Sequence, residues 1–281
     1  MKAFEVTIND IDLPMKVRDY MKKHLGFSTS LIAKVKYDGV YINGNAVHMR
    51  AILSYGDKLR IIYPDEDSEN IKPIDIPLDI IYEDQYLIAV NKPINMPVHP
   101  SRGNSLPTLA NAVRAYINAP FVFRAVNRLD RDTSGLVLIA KDPLTAALMC
   151  RAIKSGGLRK KYTALVSGIP DPAEAEINAP IARQCEGDIK RTVRQDGKES
   201  ITKYRVVRQN SLGDSVCEVE PITGRTHQIR VHMAYIGHPL KNDFLYGERS
   251  ENGTYSLHCK ELVFRHPYTE NELTVTAPEP F

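Results

Sequence analysis

Apolar and polar residues in the first sixty positions follow first a helical and then a strand-like pattern. Apolar residues between positions 17 and 25 recur at helical spacing, which predicts an amphipathic helix with a basic polar side. Its apolar positions are Val17, Tyr20, Met21 and Leu25, and its basic positions are Lys16, Arg18, Lys22 and Lys23. The hydroxyl residues at 28–30 can cap a second short helix. That helix would bury Leu31, Ile32 and Val35 and expose Lys34 and Lys36.

Strand patterns follow from residue 40 onwards. Val40-Tyr41-Ile42 and Asn45-Ala46-Val47 flank Asn43-Gly44, which predicts a hairpin because Asn-Gly suits a type I′ turn. A further strand is predicted at 58–62. Residues 1–63 therefore form one small predicted unit, and the acidic, proline-containing stretch 64–77 is typical of a linker.

Residues 78–281 form one large predicted domain, in which short β-branched runs are broken by Gly, Pro and Asn. The clearest strand patterns lie at 86–90, 137–139, 162–166, 204–207 and 216–219. Helical patterns are fewer and lie at 106–117, 143–155 and 226–235. This order predicts an α+β domain built on a mixed, mostly antiparallel sheet.

The composition is that of an ordinary globular protein. With 281 residues the chain can bury a substantial core, in one large domain or in two unequal ones. The net charge of +3 is only mildly basic, so a nucleic-acid partner would need a local basic surface. The four cysteines form no CxxC pair, which disfavours a zinc site and predicts reduced thiols. No signal-peptide pattern and no membrane-spanning apolar run is evident, so we expect a cytoplasmic protein.

The stretch from residue 127 to residue 140 contains the residues best suited to chemistry. It places Asp130 between Arg128 and Arg131, continues through a polar turn and ends in an apolar strand. An adjacent cation favours the ionised form of a carboxylate and fixes its position. Asp130 is therefore a candidate nucleophile or base, and a structural ion pair with either arginine is the alternative.

Several segments, in order along the chain, resemble one enzyme family. Arg128-Leu129-Asp130 with Thr133-Ser134-Gly135-Leu136 resembles the signature of the RluA/RluD family of RNA pseudouridine synthases, although Asn127 stands where the family usually has His. Further segments that resemble motifs of the family are Val90-Asn91-Lys92-Pro93, Lys160-Lys161-Tyr162, Thr223-Gly224-Arg225-Thr226-His227-Gln228-Ile229-Arg230 and Asp243. The helix-helix-hairpin order of residues 1–63 resembles the αL-type RNA-binding module that such synthases often carry. Ordered matches are more specific than any single motif.

The resemblance implies an enzyme that isomerises uridine to pseudouridine in structured RNA. It implies a pseudouridine synthase fold with a central catalytic cleft, and large-subunit ribosomal RNA as substrate, with transfer RNA as the alternative. The reaction breaks the C1′–N1 bond, turns the uracil and rejoins it through C5, so it is redox-neutral and no cofactor or metal is expected. A stacked base hides the reacting atoms, so the nucleotide must be flipped out. We expect a monomer whose partner is RNA.

The resemblance also assigns roles to individual residues. Asp130 would be the essential aspartate, Arg230 would hold its carboxylate through a bidentate pair, and Tyr162 would stack on the flipped uracil. Arg128 would enter the gap left by the flipped base, because a flat guanidinium can stack there. The implied phosphate contacts are Arg225, Lys160 and Lys161, together with Lys16, Arg18, Lys34 and Lys36 in the N-terminal unit.

The residue pattern alone is also compatible with purely structural roles for these side chains. Arg230 could make a phosphate contact or a surface ion pair, and Tyr162 could pack in the sheet. Arg128 could do no more than screen the charge of Asp130. The lysines could be solvated surface charges. His227 and His232 are expected to pack or hydrogen-bond rather than bind a metal. The competing functions are a non-catalytic RNA-binding ribosome-assembly factor and a glycosidase, although a glycosidase would need two convergent carboxylates.

Overall fold

The chain forms two packed units, a small N-terminal one and a larger one that contains a wide sheet. The computed structural model describes residues 2–9, 14–63, 71–100, 107–248 and 255–280. The elements of the N-terminal unit are β1 (Lys2–Thr7), β2 (Met15–Lys16), α1 (Val17–Lys23), α2 (Thr29–Val35), β3 (Val40–Ile42), β4 (Asn45–Ala46), β5 (Ile52–Leu53) and β6 (Lys58–Tyr63). An antiparallel sheet has the order β1-β6-β3-β4, and β2 pairs separately with β5.

The local sequence signals of the N-terminal unit are confirmed. The apolar positions predicted for α1 are buried, and Ser28 Oγ accepts a hydrogen bond from the backbone N–H of Leu31 (3.1 Å), which caps α2. Asn43 and Gly44 have φ angles of 51° and 84°, as the type I′ turn of the predicted hairpin requires. The strand β1 was not predicted, and it pairs with β6 along its whole length.

The larger unit is built on a mainly antiparallel sheet. Its elements are β7 (Ile80–Glu83), β8 (Leu87–Lys92), α3 (Leu109–Ile117), β9 (Arg124–Ala125), β10 (Ser134–Ala140), α4 (Pro143–Lys154), β11 (Leu158–Val166), β12 (Glu174–Asn178), β13 (Ile181–Arg183), β14 (Arg191–Val193), β15 (Ile201–Gln209), β16 (Ser215–Pro221), α5 (Gln228–Tyr235), β17 (Leu257–Arg265) and β18 (Glu272–Thr276). The strand order is β12-β15-β16-β11-β17-β10-β8-β7, with β18 paired to β17 and β9 to β10. β13 and β14 form a separate hairpin.

The predicted α+β class is therefore confirmed, with small shifts at the element ends. The predicted strands correspond to β8, β10, β11, β15 and β16, and the predicted helices to α3, α4 and α5. The helix predicted at 106–117 starts at Leu109, because Thr108 and Asn111 form a capping box in front of it. Residue 106 itself lies outside the described residues. The helix predicted at 226–235 starts at Gln228, because His227 has a φ of 57°, which an α-helix does not admit.

The central strands β10 and β17 run parallel and approach each other closely at Gly135. Gly135 pairs with Cys259 and has a φ of 104°. A Cβ atom at this position would lie 2.3 Å from the carbonyl oxygen of Cys259. Both the backbone angle and the close approach therefore require glycine. Because Asp130 lies shortly before Gly135, this contact fixes the end of the loop that carries Asp130.

The predicted linker lies partly outside the described residues, which omit 64–70. Residues 71–77 contain neither helix nor strand. They lie against α3, where the Asn111 side-chain amide donates to the carbonyl oxygen of Lys72 (2.8 Å) and the N–H of Ile74 donates to the carbonyl oxygen of Asn111 (3.2 Å).

The two units are packed together along α4. Leu144 of α4 is fully buried within the hydrophobic core of the N-terminal unit, and Leu148 packs against that core. Gly26 lies so close to α4 that a Cβ atom there would be 3.2 Å from the carbonyl oxygen of Ala147. Arg151 donates a hydrogen bond from its guanidinium to the carbonyl oxygen of His24 at the end of α1. One helix of the larger unit therefore completes the core of the smaller one.

Candidate active site

A cleft of about 360 Å³ opens where β11, the Asp130 loop and the turn before α5 meet. This volume is within the range of pockets that hold a small ligand. The predicted site residues that line it are Arg128, Asp130, Lys160, Tyr162, Arg225 and Arg230. They come from three separate segments of the chain, so the fold brings together most of the residues that the sequence indicated.

Asp130 presents its carboxylate to this cleft at about one-third exposure (32%). Its Oδ2 atom lies 3.3 Å from Arg230 Nη1 and 3.7 Å from His227 Nε2. The flanking arginines hold it less closely than the sequence pattern suggested. Arg131 instead makes two 2.8 Å contacts with Asp132, and Arg128 is an exposed residue of the cleft wall.

Arg230 makes its bidentate pair with Asp243, not with Asp130 as predicted. Its Nε and Nη2 atoms each lie 2.7 Å from an oxygen of Asp243, and both side chains are buried. The Cζ atom of the guanidinium lies over two aromatic rings, 4.2 Å from the ring centroid of Tyr255 and 5.1 Å from that of Tyr246. Burial alone would lower the pKa of Arg230, but the hydrogen bonds to Asp243 raise it above its usual range. Arg230 therefore keeps its positive charge and its position, and its Nη1 atom remains available to contact Asp130.

His227, predicted to pack or hydrogen-bond, does hydrogen-bond and also lines the cleft beside Asp130, a position that the sequence did not indicate. Its Nδ1 atom lies 2.8 Å from the hydroxyl oxygen of Tyr246, which also accepts the backbone N–H of Arg191 (2.9 Å). In the tautomer in which the Tyr246 hydroxyl donates to Nδ1, the Nε2–H of His227 is directed at Asp130. Burial lowers the pKa of His227, although the Asp130 charge opposes this. A neutral imidazole therefore faces the carboxylate. The other histidine, His232, is a buried hydrogen-bonding residue as predicted.

Tyr162 is buried at the floor of the cleft, on β11. It is paired with Cys259 on the neighbouring β17, and burial, together with the adjacent Cys259 side chain, raises the pKa of Tyr162 well above its usual range. The hydroxyl therefore stays protonated at neutral pH. Burial also raises the pKa of the Cys259 thiol, to about 12.

The two lysines before Tyr162 point to opposite faces of the sheet. Successive side chains of a strand alternate, so Lys160 shares the face of Tyr162 and Lys161 does not. Lys160 lines the cleft, where burial lowers its pKa. Lys161 is not among the cleft residues and forms an ion pair with Glu261 (2.9 Å). The structure thus brings only the first of these two lysines into the site.

Two buried polar side chains support the loop that carries Asp130. Asn127 donates to the carbonyl oxygen of Leu136 (3.0 Å) and accepts from the N–H of Leu138 (2.8 Å), so its amide continues the β9–β10 ladder. Lys92 donates to the carbonyl oxygens of Pro93 (2.7 Å) and Arg131 (3.0 Å). Burial lowers the pKa of Lys92 to about 7, and the charges of nearby aspartates only partly offset this.

The predicted RNA-binding residues of the N-terminal unit lie outside the cleft. The lysines and the arginine proposed for the N-terminal unit are largely exposed on or beside α1 and α2, and they are Lys16, Arg18, Lys34 and Lys36. Arg225 lies at the cleft rim, where its Nε donates to the carbonyl oxygen of Glu199 (2.9 Å). In the described part of the chain, no three His, Cys, Asp or Glu side chains are arranged to hold a metal ion. None of the described helices is both long and apolar enough to cross a membrane.

Comparison with known proteins identifies the class to which this fold and cleft belong. The family model described as RNA pseudouridylate synthase matches residues 86–235, which include Asp130, Tyr162 and Arg230, and the chain belongs to this family. It is therefore an isomerase that acts on RNA.

Individual relatives cover nearly the whole chain. A Bacillus subtilis protein named as the uncharacterized RNA pseudouridine synthase YjbO is 38% identical over 95% of this chain and 96% of its own. The ribosomal large subunit pseudouridine synthase D of Vibrio parahaemolyticus is 35% identical over 90% of this chain and 84% of its own. Among solved structures, human RNA pseudouridylate synthase domain containing 1 matches with a TM-score of 0.62 and 30% identity, over 73% of this chain and 84% of that one.

Proposed function

We propose that this enzyme converts uridine to pseudouridine in large-subunit ribosomal RNA, with Asp130 as its catalytic carboxylate. The observation that carries the proposal is the placement of Asp130 in the cleft, within 3.3 Å of a fixed Arg230 and beside the buried ring of Tyr162. A relative that is 35% identical is named for the ribosomal large subunit, which supports this class of RNA.

The reaction requires one carboxylate and a flipped base. The C1′–N1 bond of uridine breaks, C1′ bonds to C5, the proton on C5 leaves and N1 takes up a proton. Asp130 would act at the sugar, as a nucleophile on C1′ or as a base on C2′. Because Arg230 is committed to Asp243, it would orient Asp130 without moving during the reaction.

The other cleft residues would hold the RNA. Tyr162 would offer its face to the flipped uracil, and Arg128, which is exposed, would enter the gap in the RNA stack. Lys160 and Arg225 would contact phosphates beside the target. The exposed basic residues of the N-terminal unit would add sequence-independent affinity, and we propose that residues 1–63 act as an RNA-binding module.

The test compares RNA from cells with and without the gene. Carbodiimide labelling and primer extension map pseudouridines, and we expect one or a few sites in large-subunit ribosomal RNA to vanish without the gene. The wild-type protein should restore them and Asp130→Ala should not. Asp132→Asn is the matched control, because Asp132 lies in the same loop but pairs with Arg131, and it should restore them.

Two results would contradict the proposal. Lost sites in transfer RNA alone would show that the ribosomal assignment is wrong. Restoration by Asp130→Ala would show that Asp130 is not the catalytic carboxylate.

A further inference from the structure

A second depression lies at the seam between the N-terminal unit and α4, and its charge is all of one sign. This seam groove has a volume of about 580 Å³. Its lining contains four cationic side chains and, among the described residues, no carboxylate. The cations are Lys22, Arg124, Arg151 and Lys154.

Both walls of the seam groove contribute charge. Lys22 belongs to α1, and Arg18 lies one turn before it on the same exposed face. Lys154 ends α4 on the opposite wall, and Arg151, one turn earlier, is fixed by its hydrogen bond to His24. Lys22 and Lys154 are exposed and make no ion pair within the described part of the chain. Their ammonium groups are therefore available to an anion.

The seam groove adjoins the catalytic cleft. Ile153 lines the cleft and the next residue, Lys154, lines the groove. On the other side, Val126 lines the cleft and Arg124 lines the groove. The two depressions thus lie on either side of the end of α4 and of the segment 124–126.

We propose that the seam groove binds the phosphodiester backbone of the substrate RNA beside the nucleotide held in the cleft. The inference rests on the proposed function and extends it to a second contact region. Exposed lysines such as Lys22 and Lys154, in a lining whose described residues include no carboxylate, give the positive surface that a polyanion binds. Because the groove is formed by both units, RNA bound there would contact the N-terminal unit and α4 of the larger unit at the same time.

The first test measures the salt dependence of RNA binding. The probe is a fluorescein-labelled RNA hairpin with a uridine-rich loop and a single-stranded flank, titrated by anisotropy at several KCl concentrations. Lys154→Ala and Lys22→Ala should each weaken binding and reduce the slope of log K against log salt by about 0.7 to 1, as loss of one phosphate contact requires.

Lys203→Ala is the matched control for these variants. Lys203 is an exposed lysine of β15 whose cross-strand neighbours are Glu176 and Glu220. The preceding residue, Thr202, contacts Gln228 and His232 of α5. Because successive side chains of a strand alternate, Lys203 lies on the face of the sheet opposite α5. Its removal should leave the slope unchanged. Equal slopes for the wild type, Lys22→Ala and Lys154→Ala would overturn the proposal.

The second test uses Cys150, an exposed free cysteine in the lining of the seam groove. Bound RNA should slow its reaction with a bulky maleimide, read out by peptide mapping. Cys185, which is also exposed but follows β13, is the internal reference. An unchanged rate at Cys150, or equal protection of both cysteines, would contradict occupancy of the groove.

These outcomes are separable from failure of the proposed function. If the wild-type protein forms pseudouridine but the groove variants keep the wild-type slope, only the groove assignment fails. If the wild-type protein neither binds nor modifies ribosomal RNA, the proposed function fails first.

Discussion

Arg230 lies between two carboxylates but binds them differently. It contacts Asp243 through two 2.7 Å hydrogen bonds and reaches Asp130 through one contact of 3.3 Å. Asp243 is fully buried, whereas Asp130 faces the cleft. Asp243 therefore acts as a positioning residue, because it orients the cation that orients Asp130.

Asp243→Asn should separate positioning from RNA binding. A carboxamide places an N–H₂ group against the N–H groups of Arg230, so one of the two hydrogen bonds is lost and the guanidinium can turn away from Asp130. We expect kcat to fall about 100-fold with little change in KM, and stability to fall by about 3 kcal/mol. Tritium release from RNA labelled at uridine C5, together with urea unfolding, measures both.

Asp214→Asn is the control for that variant. Asp214 is also a buried aspartate, but it pairs with Lys241 (3.4 Å) beside the β15–β16 turn. It should cost stability without lowering kcat. A wild-type kcat in Asp243→Asn would show that Arg230 does not need this partner.

For single residues, sequence motifs predict which side chains line the active site better than they predict which side chains pair with one another. Asp130, Tyr162 and Arg230 each lie in a recognisable motif, so they could be predicted to share a cleft. The partner of Arg230 could not, because it depends on a turn that returns Asp243 to α5. The exclusion of Lys161 from the site could have been predicted, because successive side chains of a strand point to opposite faces of the sheet.

At the scale of elements, the contact between β10 and β17 determines where the Asp130 loop ends. Gly135→Ala should destabilise the protein by more than about 4 kcal/mol or prevent folding, because the methyl group would overlap the backbone of Cys259. Urea unfolding followed by far-ultraviolet circular dichroism measures the change in the free energy of unfolding.

Gly156→Ala is the matched comparison for this effect. Gly156 also has a positive φ (78°), but nothing lies within 4 Å of a Cβ built there. Its cost should be limited to backbone strain of about 1–2 kcal/mol. If both variants lose a similar free energy of unfolding, the close approach of Gly135 to Cys259 does not add to the cost of the substitution.

The same pair of strands shows which elements a pattern can predict. β10 is a continuous buried run and stands out in the sequence. β17 is equally central, but Lys260 and Glu261 interrupt its apolar positions, and a bulge shifts its register against β11 at Lys161 and Tyr162. Because the bulge depends on the partner strand, the sequence of β17 alone could not indicate it.

For the whole molecule, α4 belongs to two cores at once. Leu144 is buried in the core of the N-terminal unit, and Met149 is buried in the core of the larger one. Leu144→Ala should therefore speed hydrogen–deuterium exchange in α1 and α2, with a loss of about 2–5 kcal/mol in local stability.

Met149→Ala is the control on the same helix. It should speed exchange in the large sheet and leave α1 less affected than Leu144→Ala does. Unchanged exchange of α1 in Leu144→Ala would show that the N-terminal unit does not depend on α4. The sequence did not indicate this dependence, because Leu144 follows the ordinary apolar pattern of its own helix.

The buried amine of Lys92 links the folded state to proton uptake. A lysine in the unfolded chain has a pKa of about 10.4, whereas burial lowers the pKa of Lys92 in the fold to about 7. Between these values the unfolded chain holds one proton more than the folded one at this site, so unfolding takes up a proton. The contribution of Lys92 to stability therefore rises with pH across this window, by at most about 1.4 kcal/mol per pH unit. Since Lys92 also donates to the carbonyl oxygen of Arg131, this proton uptake on unfolding is tied to the loop that carries Asp130.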